Sequence, residues 1–210
     1  MTKTTLIIAR HGNTFGPGDI PTRVGARTDL SLVAKGIEQG KALGRELENA
    51  SLRPNNVYVS SLQRTQQTAK AALKEMSMDL DLQVSDIFNE IDYGPDENQT
   101  EDKVIARIGK AAIEAWDNRA VPPQGWLVDP DKIIADWHRF TVEIAQNCAG
   151  KTILAVTSNG TARFAPNVLN NKKNFCQNNS LKLSTGAYGV FEYSAETGWV
   201  GISWNIRPPL

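Results

Sequence analysis

The run Leu6-Ile7-Ile8-Ala9-Arg10-His11-Gly12-Asn13-Thr14 constrains this chain more than any other stretch, because successive apolar residues end abruptly on an arginine, a histidine and a glycine. Such a run reads as a buried strand that delivers Arg10 and His11 to its C-terminal edge. In an open α/β sheet that edge is where ligands bind, since loops and helix N-termini converge there on a rigid frame. Gly12 is expected to let the backbone turn and approach a ligand closely. An imidazole beside a guanidinium suits phosphoryl chemistry, the one as nucleophile and the other as a bidentate clamp on phosphate oxygens. By itself, Arg-His-Gly more often marks a hydrogen-bonded loop histidine.

The same strand-to-helix junction recurs twice. Val57-Tyr58-Val59 reads as a second buried strand ending at Ser60-Ser61, with Ser61 as N-cap of a helix whose inner face is Leu62, Thr65, Ala69, Leu73 and Met76. Arg64 falls in the first turn of that helix, where the dipole disfavours a cation, so its presence asks for an anionic partner shared with Arg10. A surface salt bridge is the alternative. Thr152-Ile153-Leu154-Ala155-Val156 reads as a third strand, running into Thr157-Ser158-Asn159-Gly160 and a short helix carrying Arg163. That turn offers backbone N–H groups and a hydroxyl to an anion. Pro166 predicts a kink or an early end there.

Between these junctions, Phe15 to Asp29 is a Gly-, Pro- and Asp-rich loop carrying Arg23 and Arg27, expected to line the pocket. A helix from about Ala34 carries Ile37, Gly40, Leu43 and Leu47 at helical spacing, with Gly40 and Gly44 expected to bring it close to the sheet. Ile87 to Glu97, with carboxylates at 90, 92, 96 and 97, reads as a loop leaving the sheet. Thr100 is expected to cap one helix through Val104, Ile108, Ala111, Ala112 and Ala115 to about Trp116, broken at 121–125. Residues 94–129 thus read as a cap-like excursion from a single domain spanning 1–210. Asp129-Pro130 starts a further helix with Ile133, Trp137, Phe140 and Ile144 inward and Gly150 as its stop; His138 on it reads as packed or solvated. Segments 180–183, 187–193 and 199–204 read as strands finishing one edge of the sheet.

A chain of 210 residues can bury a real core. Its 23 basic and 23 acidic residues cancel, so nucleic acid and anionic membranes are not expected as partners and a small-molecule or protein partner is favoured. Cys148 and Cys176 cannot make a disulfide framework and sit in no metal-like spacing. No metal and no cofactor are expected. The apolar run near Met1 is too short for a signal peptide or a membrane span, and no later run is longer, which points to a cytoplasmic protein.

The ordered motifs Arg10-His11-Gly12-x-Thr14, Ser60-Ser61-x-x-Arg64-x-x-x-Thr68-Ala69 and Glu90-x-x-x-Gly94 resemble the histidine phosphatase superfamily, whose fold is shared with cofactor-dependent phosphoglycerate mutases. Asp29-x-x-Leu32-x-x-x-Gly36-x-x-Gln39 fits too, so the likeness extends nearly end to end. It implies an α/β three-layer sandwich, a mostly parallel central sheet with helices on both faces. It also implies His11 as the phosphorylated nucleophile, Arg10 and Arg64 as phosphate ligands, and Glu90 as the general acid that later activates water. Asn13 is a further candidate phosphate contact.

The late motif departs from the family pattern. Where the family reads Val-Ser/Thr-His-Gly/Asn-Gly-x-x-Arg, this chain reads Val156-Thr157-Ser158-Asn159-Gly160-Thr161-Ala162-Arg163, so Ser158 stands where the resemblance places a second catalytic histidine. Only His11 and His138 exist in the chain. The expected activity is a metal-independent phosphomonoesterase working through phosphohistidine on a small metabolite, slowed by Ser158 acting as a neutral phosphate donor. A phospho-ligand binding or regulatory protein is the alternative, and a phosphoglycerate mutase a third reading.

Overall fold

The computed structural model describes residues 3–210. Six strands form one sheet in the order β3-β2-β4-β1-β5-β6. The strands are β1 (Thr4–Arg10), β2 (Asn56–Val59), β3 (Leu82–Val84), β4 (Thr152–Thr157), β5 (Tyr188–Ser194) and β6 (Gly198–Ile206). β1, β2, β3 and β4 pair in parallel, whereas β5 and β6 run antiparallel at one edge. The sheet is therefore mixed but mostly parallel. Along β1 the side chains alternate between two cores: Leu6 and Ile8 pack on one face, Ile7 and Ala9 on the other. Burial on both faces is why this strand reads as a continuous apolar run rather than an alternating one.

Helices α1 (Ala34–Asn49) and α2 (Gln63–Glu75) cover the Ile7 face through Leu43, Leu47, Ala69, Ala72 and Leu73. The opposite face is covered by α3 (Glu101–Ile108), α4 (Lys110–Arg119) and α5 (Pro130–Asn147), with Phe88 and Phe140 packed against Tyr58 and Trp137 against Phe88. Two short helices, α6 (Asn159–Ala162) and α7 (Lys172–Asn178), follow β4. Asp129 caps α5 as expected, its carboxylate accepting the Lys132 amide at 3.0 Å, and His138 lies exposed on that helix. Pro166 falls in a 3-10 turn, Ala165–Val168, just after α6 ends.

Several local expectations are corrected. Ser61 does not cap α2. The cap position is Leu62, and the α2 amides are met instead by Ser60 Oγ (from Leu62) and by Asp29 Oδ1, which accepts the Gln63 amide at 2.8 Å. Gly40 and Gly44 open α1 to α2 rather than to the sheet: a Cβ on Gly40 would stand 2.8 Å from that of Ala71, and one on Gly44 would overlap the Ala72 carbonyl. The close approach that Gly12 permits is likewise to protein, since a Cβ there would overlap the carbonyl oxygen of Gly36. Thr100 makes no side-chain cap, and its helix is two helices, broken at Gly109, whose φ of 80° only glycine adopts without strain. The break resets the helical phase, so Val104, Ile113 and Trp116 are buried rather than the Ala111 face. Residues 180–183 are not a strand. They form a loop held by side chains, with the Leu183 amide on Asn159 Oδ1 (2.8 Å) and the Ser184 amide on Asn205 Oδ1 (2.7 Å).

Candidate active site

β1 and β4 run side by side with Arg10 opposite Thr157, so the two polar turns that follow them emerge together at one sheet edge. The His11 amide donates to the Thr157 carbonyl at 3.1 Å, extending that pairing into the turn. His11 is itself buried, and its Nδ1 lies 2.7 Å from the Gly12 carbonyl. A carbonyl only accepts, so Nδ1 carries the proton and Nε2 is left with its lone pair. Burial, then the charges of Arg10 and Arg64, hold the imidazole's pKa well below 6.5. A neutral ring with a free Nε2 between two cations is the protonation state a nucleophile needs.

The two arginines are held by neutral partners. Arg64, fully buried, donates to the carbonyls of Thr28 (2.8 Å) and Gly25 (3.2 Å). Arg10 donates to the Leu183 carbonyl at 2.9 Å. In each case Nε is buried and has no hydrogen-bond partner in the protein. No carboxylate lies within salt-bridge distance of either guanidinium among the described residues. Burial lowers the pKa of both, and Glu90 is the foremost charge that opposes the fall. Unpaired donors on buried cations are costly unless an anion completes them. The surface salt bridge that sequence left open for Arg64 is absent.

Glu90 is buried beside them. Its Oε1 accepts the Ile91 amide at 2.9 Å and its Oε2 accepts the Gly160 amide at 3.2 Å. The α6 amide expected to meet an external anion thus meets the Glu90 carboxyl group. Ser158 lies at the start of α6, fully buried, and its Oγ neither caps the helix nor finds any partner. The Asn13 amide donates to Gln39 Oε1 at 2.7 Å, and Gln39 Nε2 reaches the Thr185 carbonyl at 3.1 Å, so one carboxamide ties the turn after His11 to the loop before β5.

A cleft of about 550 Å³ opens over these groups, lined among others by Arg10, His11, Asn13 and Glu90. Arg64 and Ser158, both fully buried, are not among the residues that line it. The loop after β1 lines it as expected, through Phe15, Gly16, Pro21, Thr22, Arg23 and Val24. Several lining residues were missed in the sequence: Tyr93, Glu101, Trp116, Asp117, Lys182 and Thr185. Arg23, noted only as part of its loop, donates to both carboxylate oxygens of Glu101 (2.9 and 2.7 Å) and lies over the rings of Trp126 and Tyr93. Glu97 was legible as one of a group of carboxylates, but not its work. Its Oε1 accepts from the Gly25 and Arg27 amides and the Thr28 hydroxyl, shaping the loop whose carbonyls grip Arg64. Among the described residues no three His, Cys, Asp or Glu side chains group as a metal would require. None of the described helices is long and apolar enough to cross a membrane.

A neutral buried histidine, two arginines with unsatisfied donors and a carboxyl group at one sheet edge define a class of site built around an anion. The chain belongs to the histidine phosphatase superfamily (branch 1), which matches residues 6–207. It is 32% identical over 124 residues to a 2,3-bisphosphoglycerate-dependent phosphoglycerate mutase of Bartonella bacilliformis, a match covering 58% of this chain and 59% of that protein. The chain thus spans about three fifths of the length of that relative. The structure superposes on a mycobacterial glucosyl-3-phosphoglycerate phosphatase with a TM-score of 0.77 at 17% identity, covering 97% of this chain and 99% of the other. On a phosphoglycerate mutase from Bacillus anthracis the TM-score is 0.76 at 22% identity, covering 97% and 93%. At these identities the superpositions establish the fold alone.

Proposed function

We propose that the protein is a phosphomonoesterase that works through a phosphohistidine on His11, without a metal, on a small phosphorylated metabolite. The observation that carries this reading is the His11 ring, pinned by Gly12 as the Nδ1–H tautomer and held neutral beside two arginines with free Nε donors. Nε2 attacks phosphorus, the bond from phosphorus to the ester oxygen breaks, and Glu90 gives that oxygen its proton. Glu90, now a carboxylate, takes a proton from water; the resulting hydroxide attacks the phosphohistidine, the P–N bond breaks and phosphate leaves. Arg10 and Arg64 hold the transferring group throughout, and their charge favours the crowded anionic transition state. Ser158 and Asn13 are proposed as neutral phosphate contacts; for Ser158 the support is a buried hydroxyl without another partner.

Residues 94–129 are read as a cap, because Glu101, Trp116 and Asp117 from this segment line the cleft. A mutase reading is favoured by the name of the Bartonella relative. It differs in one step, the phosphoryl group passing from His11 to a second hydroxyl instead of to water. Intact-mass analysis after mixing with a turned-over phosphate ester is expected to show an acid-labile adduct of one phosphoryl group, absent in His11→Ala; an adduct that persists in His11→Ala overturns the assignment. Activity is expected to survive a chelator. Release of inorganic phosphate in the presence of added phosphoglycerate separates hydrolysis from transfer.

A further inference from the structure

A peptide unit is a rigid plane, so whatever fixes its amide end also aims its carbonyl end. The carbonyl that holds the His11 ring is that of Gly12, and the other end of the same plane is the Asn13 amide, which donates to Gln39 Oε1 at 2.7 Å. Gln39 Nε2 in turn donates to the Thr185 carbonyl at 3.1 Å. The other end of that second plane is the Gly186 amide, which donates to the carbonyl of His11 itself at 3.1 Å and, shared, to that of Arg10 at 3.2 Å. Two peptide planes and one carboxamide thus close a circuit that leaves His11 by its ring and returns to it by its backbone.

Every donor in this circuit points the same way around it. Hydrogen bonds ordered in this manner strengthen one another, by roughly 10–30% per bond. Only one orientation of the Gln39 carboxamide fits: turned over, its NH2 group would face the Asn13 amide and its oxygen the Thr185 carbonyl, and both bonds would be lost. Gln39 reaches this place because Gly36, one turn earlier on α1, lets the helix press against the turn after β1; a Cβ on Gly36 would stand 2.2 Å from the Asn13 carbonyl oxygen. Residues three apart share a helix face, so Gln39 meets the same turn. From the other side Gly186, at a φ of 72°, leaves room for the Gln39 stem, since a Cβ there would stand 2.8 Å from that of Gln39. The Gly36-x-x-Gln39 spacing thereby has a use that phosphate binding alone does not give it.

A neutral imidazole can carry its proton on either nitrogen, and only the Nδ1–H form leaves on Nε2 the lone pair that attacks phosphorus. We infer that Gln39 is a positioning residue for the nucleophile: through the peptide plane between Gly12 and Asn13 it aims the carbonyl that keeps His11 in the Nδ1–H tautomer. Gln39 is not among the residues that line the cleft, so it acts on the reaction only through His11. The kinetic consequence rests on the phosphatase reading; the tautomer does not.

The test reads the tautomer directly. His11 and His138 are the only histidines, so nitrogen-15 spectra at neutral pH contain two imidazoles, and His11→Gln assigns them. In the wild type, His11 is expected to show a pyrrole-like Nδ1 and a pyridine-like Nε2; the Nε2–H form, or an even mixture, overturns the inference. Gln39→Met fills much the same space without a polar end, and is expected to convert that signature into a mixture of the two forms. It should also slow phosphoenzyme formation roughly ten- to a hundredfold, the scale of a misaligned reacting group, with alkyl and aryl esters slowed alike. Binding of inorganic phosphate, carried by the arginines, should change by less than about twofold. Where Gln39→Met does not fold, Gln39→Asn takes its place, its carboxamide too short to span both planes. An unchanged tautomer in the folded variant, or phosphate binding lost in step with rate, overturns the inference and leaves the phosphatase reading standing. If the wild type turns over no ester, the hydrolytic reading has failed and the tautomer alone decides: a mixture in the variant upholds the circuit, and the wild-type signature overturns it.

Discussion

Glu90 and Gly160 lie 70 residues apart in the chain and meet at 3.2 Å, the amide of the one donating to the carboxyl oxygen of the other. A side chain on residue 160 would overlap Glu90 Oε1 and stand 2.7 Å from Ile91 Cγ1. The turn after β4 therefore sets where the carboxyl group sits, and the absence of a Cβ there is what lets it approach.

As the proton donor to the departing oxygen, Glu90 matters most when that oxygen is a poor leaving group. Glu90→Gln is expected to slow an alkyl phosphate far more than an aryl phosphate with a good leaving group, on the scale of general acid catalysis, about 10²–10⁴-fold for the alkyl ester. Equal slowing of both, measured as kcat/KM, removes Glu90 from the acid role.

Gly160→Ala should reproduce that signature in weaker form while keeping the carboxyl group. The new methyl pushes against a side-chain end rather than a backbone strand, so the protein is expected to fold with a loss of about 1–3 kcal/mol at most. The check is the alkyl-to-aryl rate ratio beside a urea melt. A ratio equal to that of the wild type in a folded variant means the Gly160 contact does not position the acid.

Much of this arrangement was legible because it is local. The apolar run into Arg10-His11-Gly12 is a doubly buried strand, and Asp129-Pro130 is a helix start whose capping bond spans three residues. What was misread is held from far away. Residues 180–183 carry strand-like residues, but the Leu183 amide is satisfied by Asn159 and that of the next residue, Ser184, by Asn205, side chains that nothing in the local sequence announces. Ser61 had the right chemistry for a cap and lost the place to Asp29, which arrives from a loop 34 residues before the Gln63 amide it accepts. Strand β3 is only three residues long at a sheet edge and is exposed at Gln83 and Val84, so it lacks the alternation that reveals a half-buried strand. Arg163 was visible in the motif after β4, yet its bond to the Trp116 carbonyl and its stacking on that ring join segments 47 residues apart.

The neutral state of His11 has a consequence for stability. Its folded pKa lies well below 6.5, with burial the main cause, while in the unfolded chain the ring titrates near 6.5. Below that pH the unfolded chain binds a proton that the folded protein does not, so stability falls as pH falls from about 6.5 towards the folded value, by up to about 1.4 kcal/mol per pH unit for one group. Urea denaturation between pH 7 and 5 should show that slope in the wild type, and His11→Gln should lose it. Identical slopes in the two proteins would show that another group governs the acid limb.

Ser158 sets the last expectation. A histidinium at this turn would give phosphoryl oxygens a charge-assisted hydrogen bond, and a serine hydroxyl gives a neutral one. Hydrogen bonds to charged groups contribute roughly 1.5–3 kcal/mol against about 1 for neutral pairs. The deficit of about 0.5–2 kcal/mol corresponds to roughly two- to thirtyfold in rate if it is felt only in the transition state. The hydroxyl here is fully buried and without a partner, so it is free to donate, and removing it costs the protein no internal hydrogen bond. Ser158→Ala is therefore expected to leave the urea midpoint nearly unchanged while weakening vanadate binding and slowing turnover. Ser158→His, where the fold accepts it, should raise turnover of a generic aryl phosphate. Unchanged binding and rate in Ser158→Ala would take this turn out of the phosphate site. If the wild type and Ser158→His both bind phosphate and turn nothing over, the scaffold serves as a phospho-ligand binder, because the neutral nucleophile and the acid would then be present without the chemistry they support.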